Sequence, residues 1–370
     1  MKFPLKSEIA SRHFGIAPGG QGIEAWTLTG AGGLQIEAIS YGAIITRLLV
    51  PNRDGRLKDV VLGFSGIEPY LEGSAYFGAA IGRVAGRISN ASFTLDGRPY
   101  DLVRNDGANH LHGGDLGFDK KIWNVEAKRN ENGEPLLVFL YTSLDGEEGY
   151  PGAVQVKLTY TVTGDNKLIV DIVVKTDRAT PFNFTQHSYF NLAGEGSGSI
   201  ADHVLQVFAD EYVPADDNMR LIGRFVSVEG QGNDFRQPRR LEDAIPALFQ
   251  KHGDLYRVQF PSYVSNAGPN LKMAARLVHP ESGRMLEVAT TEEYLQLYTG
   301  VGLDGSLSGK SGISYGAHSG LCLECQGYPD GANHPEMGDI ILRPGYPKRA
   351  TTVYGFSHIT QENDSGVNGR

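Results

Sequence analysis

Cysteine is nearly absent from this chain: Cys322 and Cys325 are the only two in 370 residues. That count rules out a disulfide framework. Their C-x-x-C spacing around Glu324 fits redox chemistry or half of a zinc site, but no second cysteine pair exists to complete the zinc reading. If the segment is a strand, Cys322 and Glu324 share a face and Cys325 points the other way, which hinders a disulfide. Two buried, reduced thiols are therefore expected. Long apolar runs are also missing, and no stretch approaches the ~20 residues of a membrane span. The segment Met1–Glu8 has no apolar signal core. Net charge is −9 and no basic stripe carries interleaved aromatics, so neither nucleic acid nor a membrane is an expected partner. The default location is cytoplasmic. No linker, charge block, low-complexity tract or repeat divides the chain, so residues 1–370 read as one domain.

Helix signals are few. Glu242–Pro246 is too short and proline-interrupted for a long helix, and Ile67–Glu72 has room for one turn or two. The 48 glycines and 18 prolines separate short apolar runs such as Ala43–Ile45, Leu48–Val50 and Leu168–Val174, the pattern of many strands joined by turns. Val154–Val162 alternates apolar and polar residues, as a strand buried on one face does. The class read from the residues is antiparallel all-β.

Three segments carry acid–base chemistry: Asn109-His110-Leu111-His112-Gly113-Gly114, Thr185-Gln186-His187-Ser188-Tyr189-Phe190-Asn191 and Leu321-Cys322-Leu323-Glu324-Cys325-Gln326. Two imidazoles and a carboxylate in apolar or glycine-rich settings can move protons at neutral pH, although one histidine among aromatics is more often structural. His110 and His112, at i and i+2, would share a strand face and could ligate a metal with Glu324 or His187, the main chemical rival. Asp304–Ser311 resembles a phosphate-binding loop, except that Asp304 replaces its first glycine and sets a negative charge near the phosphates. It is discarded.

Along most of its length the chain resembles the galactose mutarotase (aldose 1-epimerase) family. The matching strings run in order through Tyr41-Gly42-Ala43, Asp59–Phe64, Tyr76–Ala79, Gly82–Ile88, Leu111–Gly114 with Gly117–Lys120, Asp145–Gly152, the His187 segment, Gln296–Gly300, and Leu323–Gln326 with Pro329-Asp330. The resemblance implies a large antiparallel β-sandwich of the galactose mutarotase type. It also implies an isomerase that interconverts the anomers of a free aldose without metal or other cofactor. Glu324 would be the base at the anomeric hydroxyl, if burial raises its pKa toward neutrality. His187, if it stays protonated near pH 7, would be the acid at the ring oxygen. His112 would donate a second hydrogen bond near that oxygen, with Gly113 and Gly114 allowing close approach. Arg87 would bind sugar hydroxyls and hold the site's carboxylate, and Gln296 would complete a polar wall.

The chain departs from the family pattern at Gly86, where the family usually has Asn, and at Arg257, where it usually has a sugar-binding Asp. Asp254, three residues earlier, is the alternative source of that carboxylate, with Arg257 then facing solvent. The stretch Thr299–Gly305 also lacks the usual Asn-Phe pair. A neutral aldose is the expected substrate. Arg257 motivates a second reading, an anionic sugar such as a hexose phosphate or uronate. A non-catalytic sugar-binding protein is the third. The expected partner is a monosaccharide, with the chain acting as a monomer or weak homodimer.

Overall fold

The structure is a computed structural model, and it describes residues 7–73, 75–248, 254–257, 262–265 and 268–359. Alternation builds its largest sheet. In the strand Lys167–Thr176, Leu168, Val170, Ile172 and Val174 are buried while the intervening side chains are not fully covered. Val154–Val162 pairs with it in the same phase. The sheet continues outward in both directions through Pro135–Ser143 and Asn124–Arg129 on one side, and through Lys348–His358, Arg284–Thr290, Gly268–His279, Val204–Val207 and Arg239–Arg240 on the other.

A second sheet holds Tyr189–Phe190, Leu321–Gln326, Tyr294–Tyr298, Asp254–Arg257, Glu211–Val213 and Val226–Ser227, in that order. A third, five-stranded sheet is formed by the first strands of the chain, from Glu8–Ile16 to Leu57–Asp59. Among the described residues every strand pair in these sheets is antiparallel. Leu295, Leu297, Leu321, Leu323 and Cys325 of the second sheet share one core cluster with Val170, Ile172, Val288 and Tyr354 of the first. The two sheets thus pack face to face as a sandwich.

The runs Ala43–Ile45 and Leu48–Val50 do not form separate strands. Ala43 has φ +46° after Gly42 at +63°, so the first run is mostly a tight turn, and both lead into the single strand Ile45–Pro51. The helices Glu68–Glu72 and Leu241–Leu248 are one and two turns long. No helix among the described residues is long and apolar enough to cross a membrane.

Candidate active site

The strand Leu321–Gln326 is buried along its whole length, and its period of two sorts its side chains between two environments. Leu321, Leu323 and Cys325 enter the main core. Cys322, Glu324 and Gln326 lie on the opposite face, where Glu324 and Gln326 line a cleft of about 270 Å³. The two leucines alone contribute roughly 3–6 kcal/mol by burial, enough to hold a neutral carboxyl group out of water on the other face. Both cysteines are free and buried, with Cys322 in a different core cluster from Cys325, as the strand reading requires. The neighbouring strand repeats the pattern: Leu295 and Leu297 point to the core, and Gln296, paired directly with Glu324, points to the cleft.

His187 follows the short strand Thr185–Gln186 and is fixed on both sides. Its N–H donates to the Ala79 carbonyl at 2.9 Å, and its own carbonyl accepts from Gly78 at 3.0 Å. The Gln186 amide clamps the same turn by donating to the Gly78 carbonyl at 2.8 Å and accepting from the Ser188 N–H at 3.0 Å. The Tyr189 ring stacks on the imidazole with centroids 5.1 Å apart. His187 Nε2 then lies 3.6 Å from Glu324 Oε2, and its Nδ1 lies 3.5 Å from Cys322 Sγ.

His112 reaches the cleft because its backbone turns. It has φ +53°, and Gly113 and Gly114 follow at +86° and +105°. A Cβ on Gly113 would sit 2.0 Å from the Gly82 carbonyl oxygen, so the close approach demands glycine. His112 Nδ1 accepts the Gly86 N–H at 3.1 Å, which assigns the proton of the neutral ring to Nε2. Its ring meets His187 edge-on at 5.3 Å and Tyr76 at 4.7 Å.

The same turn breaks the expected His110–His112 face. His110 belongs to the strand His110–Leu111, is buried against Tyr150, and contacts the Val103 carbonyl through Nδ1 at 2.8 Å. It does not line the cleft. The metal reading built on this pair has no geometric basis. His187, Cys322 and Glu324 do place one ligand atom each within 4.8 Å of one another, and burial pushes the Cys322 thiol well up, so a metal bound there would have to displace its proton.

Burial sets the proton inventory. It raises the Glu324 carboxyl from 4.5 to about 8, against a lowering by Arg87. It lowers His187 from 6.5 to about 4 and His112 well below its ordinary value, the latter with help from the His187, Arg87 and His110 charges. The rise that the base role asks of Glu324 is present, whereas the condition set for His187 as the acid, that it stay protonated near neutrality, is not met by the imidazole alone. At pH 7 the pair holds its one mobile proton on the carboxyl group. A carboxylic acid beside an imidazole contains as many protons as a carboxylate beside an imidazolium, so the pair can exchange that proton without help from solvent.

Arg87 lines the cleft, but its partner is Asp106: Nε donates to Oδ2 at 2.6 Å. The pairing expected with the site's carboxylate is thus made with a residue outside the three motifs. Asp106 sits on a turn brought to Arg87 by the pairing of Leu111 with Arg87 and His110 with Ile88. Tyr76, Tyr189, Tyr298 and Gln326 also line the cleft and escaped sequence reasoning. For Gln326 a signal existed, since it alternates in phase with Glu324. Gly86 has φ +79°, and a Cβ there would lie 2.5 Å from Pro329 Cβ, so the proline occupies the space a larger residue would need. In the backbone Asp254 pairs with Leu297 and Arg257 with Tyr294, while both side chains lie outside the described residues.

The string Asp304–Ser311 forms no phosphate cradle. The Lys310 side chain is buried, ion-paired with Asp59 at 2.8 Å, and donates to the carbonyls of Thr46 and Val61 at 2.6 and 2.8 Å.

The family model described as Aldose 1-epimerase matches residues 24–355. Galactose mutarotase from Rattus norvegicus is 43% identical over 345 residues, covering 93% of this chain and 97% of that protein. Aldose 1-epimerase from Escherichia coli K12 is 35% identical over 346 residues, covering 92% and 97%. Among solved structures, an aldose epimerase homologue from C. elegans superposes with a TM-score of 0.81 at 29% identity, covering 95% of this chain and all of that one. The chain belongs to the aldose 1-epimerase family. It is an isomerase of the mutarotase class, on the β-sandwich that its sequence implies.

Proposed function

We propose that Glu324 and His187 carry out the interconversion of α and β anomers of a free, neutral aldose by passing one proton through the opened sugar. Opening the ring requires removal of the proton from the anomeric hydroxyl and delivery of a proton to the ring oxygen. Rotation about C1–C2 and closure reverse both transfers. Glu324, ionised once its proton has passed to His187, takes the hydroxyl proton, and His187 protonates the ring oxygen. On closure the two exchange roles. His112, with Nε2–H as its donor, supports the charge that develops at the ring oxygen. The single observation that carries this reading is the buried 3.6 Å approach of His187 Nε2 to Glu324 Oε2 at the wall of a cleft.

Arg87, Gln296 and Gln326 supply hydrogen bonds to the remaining hydroxyls. The Gln326 amide oxygen is buried without a partner among the described residues, a group that a sugar hydroxyl would satisfy. We also read residues 1–370 as one domain, since a single core cluster includes residues from Leu28 to Phe356. The protein is proposed to act in the cytoplasm, as a monomer or weak homodimer. Polarimetry on pure anomers of glucose, galactose, a pentose, a hexose phosphate and a uronate tests the reading. Acceleration with at least one neutral sugar is expected, and no acceleration with any sugar would overturn it.

A further inference from the structure

Beside the His187–Glu324 pair the cleft holds a second charged pair, Arg87 and Asp106. Both residues line the catalytic cleft, and both side chains are 22% exposed, so each is held by its partner yet reachable by a ligand. One hydrogen bond joins them, from Arg87 Nε to Asp106 Oδ2. Among the described residues, Nη1 and Nη2 of Arg87 and Oδ1 of Asp106 have no protein partner, which leaves donors and an acceptor side by side.

The presentation is rigid. Asp106 and Asn109 close a turn with backbone hydrogen bonds of 3.2 and 2.9 Å. The Asn105 amide accepts from the Leu111 N–H at 2.7 Å and donates to the Leu111 carbonyl at 2.9 Å. The Asn109 amide anchors the turn to the Asn218 carbonyl at 2.9 Å. No ordering of a loop is needed before a ligand is met.

We propose that Asp106 is a specificity-determining residue: with Arg87 it forms a charge-neutral fork that receives two neighbouring hydroxyl groups of a neutral aldose and discriminates against anionic sugars. This rests on the mutarotase reading above and adds to it the residue that sets the preference for neutral over anionic sugars. A hydroxyl can donate to the free carboxylate oxygen while accepting from the guanidinium, and a vicinal diol can do both at once. A sugar phosphate or carboxylate would find its natural partner, Arg87, already neutralised, and would meet the Asp106 charge at close range. The second role of Asp106 is electrostatic. Because Arg87 lowers the Glu324 pKa, a partner that neutralises Arg87 helps keep that carboxyl protonated at neutral pH.

The test compares wild type, Asp106→Asn, Asp106→Glu and the double variant Arg87→Gln/Asp106→Asn on a neutral hexose and on its uronate and 6-phosphate. For Asp106→Asn, kcat/KM on the neutral hexose should fall about tenfold or more, chiefly through KM, as loss of a charged hydrogen bond does. The ratio of anionic to neutral kcat/KM should rise at least about tenfold, and the alkaline limb of the pH profile should move to lower pH. Asp106→Glu should restore part of the neutral activity, and the double variant should lose the gain in anionic preference. An Asp106→Asn protein whose activities on neutral and anionic sugars fall together, with an unmoved pH profile, would reduce Asp106 to a structural prop and overturn the proposal. Wild-type protein inactive on every anomer would instead overturn the mutarotase reading, and this one with it.

Discussion

His187 Nε2 and Glu324 Oε2 face each other at 3.6 Å with their side chains 4% and 3% exposed. Two ionisable groups in that position cannot titrate independently, and burial drives their pKa values apart, to about 4 for the imidazole and about 8 for the carboxyl. Between these values the pair holds one mobile proton. That is the state needed to accept from one sugar oxygen and donate to another.

The pH dependence follows with a definite sign. Below about 4, His187 gains a proton and the pair has no base. Above about 8, Glu324 loses its proton and the pair has no acid. A plot of kcat/KM against pH should therefore be flat between these limits and fall on both sides, the apparent values belonging to the pair. Initial rates by polarimetry, corrected for the spontaneous reaction, check this. A rate still climbing from pH 8 to 10 would contradict the carboxyl's part in it.

Treatment with a strong chelator should leave activity unchanged, because neither proton transfer passes through a metal. Loss of activity on chelation, restored by one equivalent of a divalent transition metal, would move the chemistry to the His187–Cys322–Glu324 cluster and require a different mechanism.

Lys310 offers a test of stability away from the cleft. Its ammonium is buried against Asp59 and two carbonyls, so Lys310→Met leaves a partly buried carboxylate with only the Leu48 and Val61 N–H groups as partners, and removes the ammonium from two carbonyls. Removing one partner of such a pair costs ~3–5 kcal/mol. Urea denaturation should show a loss near the lower end, since the Asp59 side chain is 17% exposed. A loss under about 0.5 kcal/mol would mean that water takes the place of the ammonium.

Much of the site was legible in the chain because it depends on local pattern. The Leu-Glu-Cys-Gln alternation sets Glu324 on one face of its strand and Cys325 on the other, and His187 stands among aromatics that pack around it. Hidden features depend on long-range pairing or on a single dihedral angle. His110 and His112 share a face only in an extended strand, and one positive φ at His112 separates them. Asp106 reaches Arg87 only after the strand Arg87–Ile88 pairs with His110–Leu111. Lys310, in a glycine-rich string, finds Asp59 in the first third of the sequence, which no local reading could anticipate. Depth of burial sets the His187 pKa, and no local pattern in the sequence gives that depth.

Turnover by Glu324→Gln tests the central claim most directly. The amide preserves shape and hydrogen bonding to the sugar but cannot take a proton, so kcat for anomer interconversion should fall at least ~10²-fold. Sugar affinity, measured by calorimetry on the same folded protein, should change by only a few-fold. A well-folded Glu324→Gln protein that turns over near the wild-type rate would contradict the assignment of this carboxyl as the base.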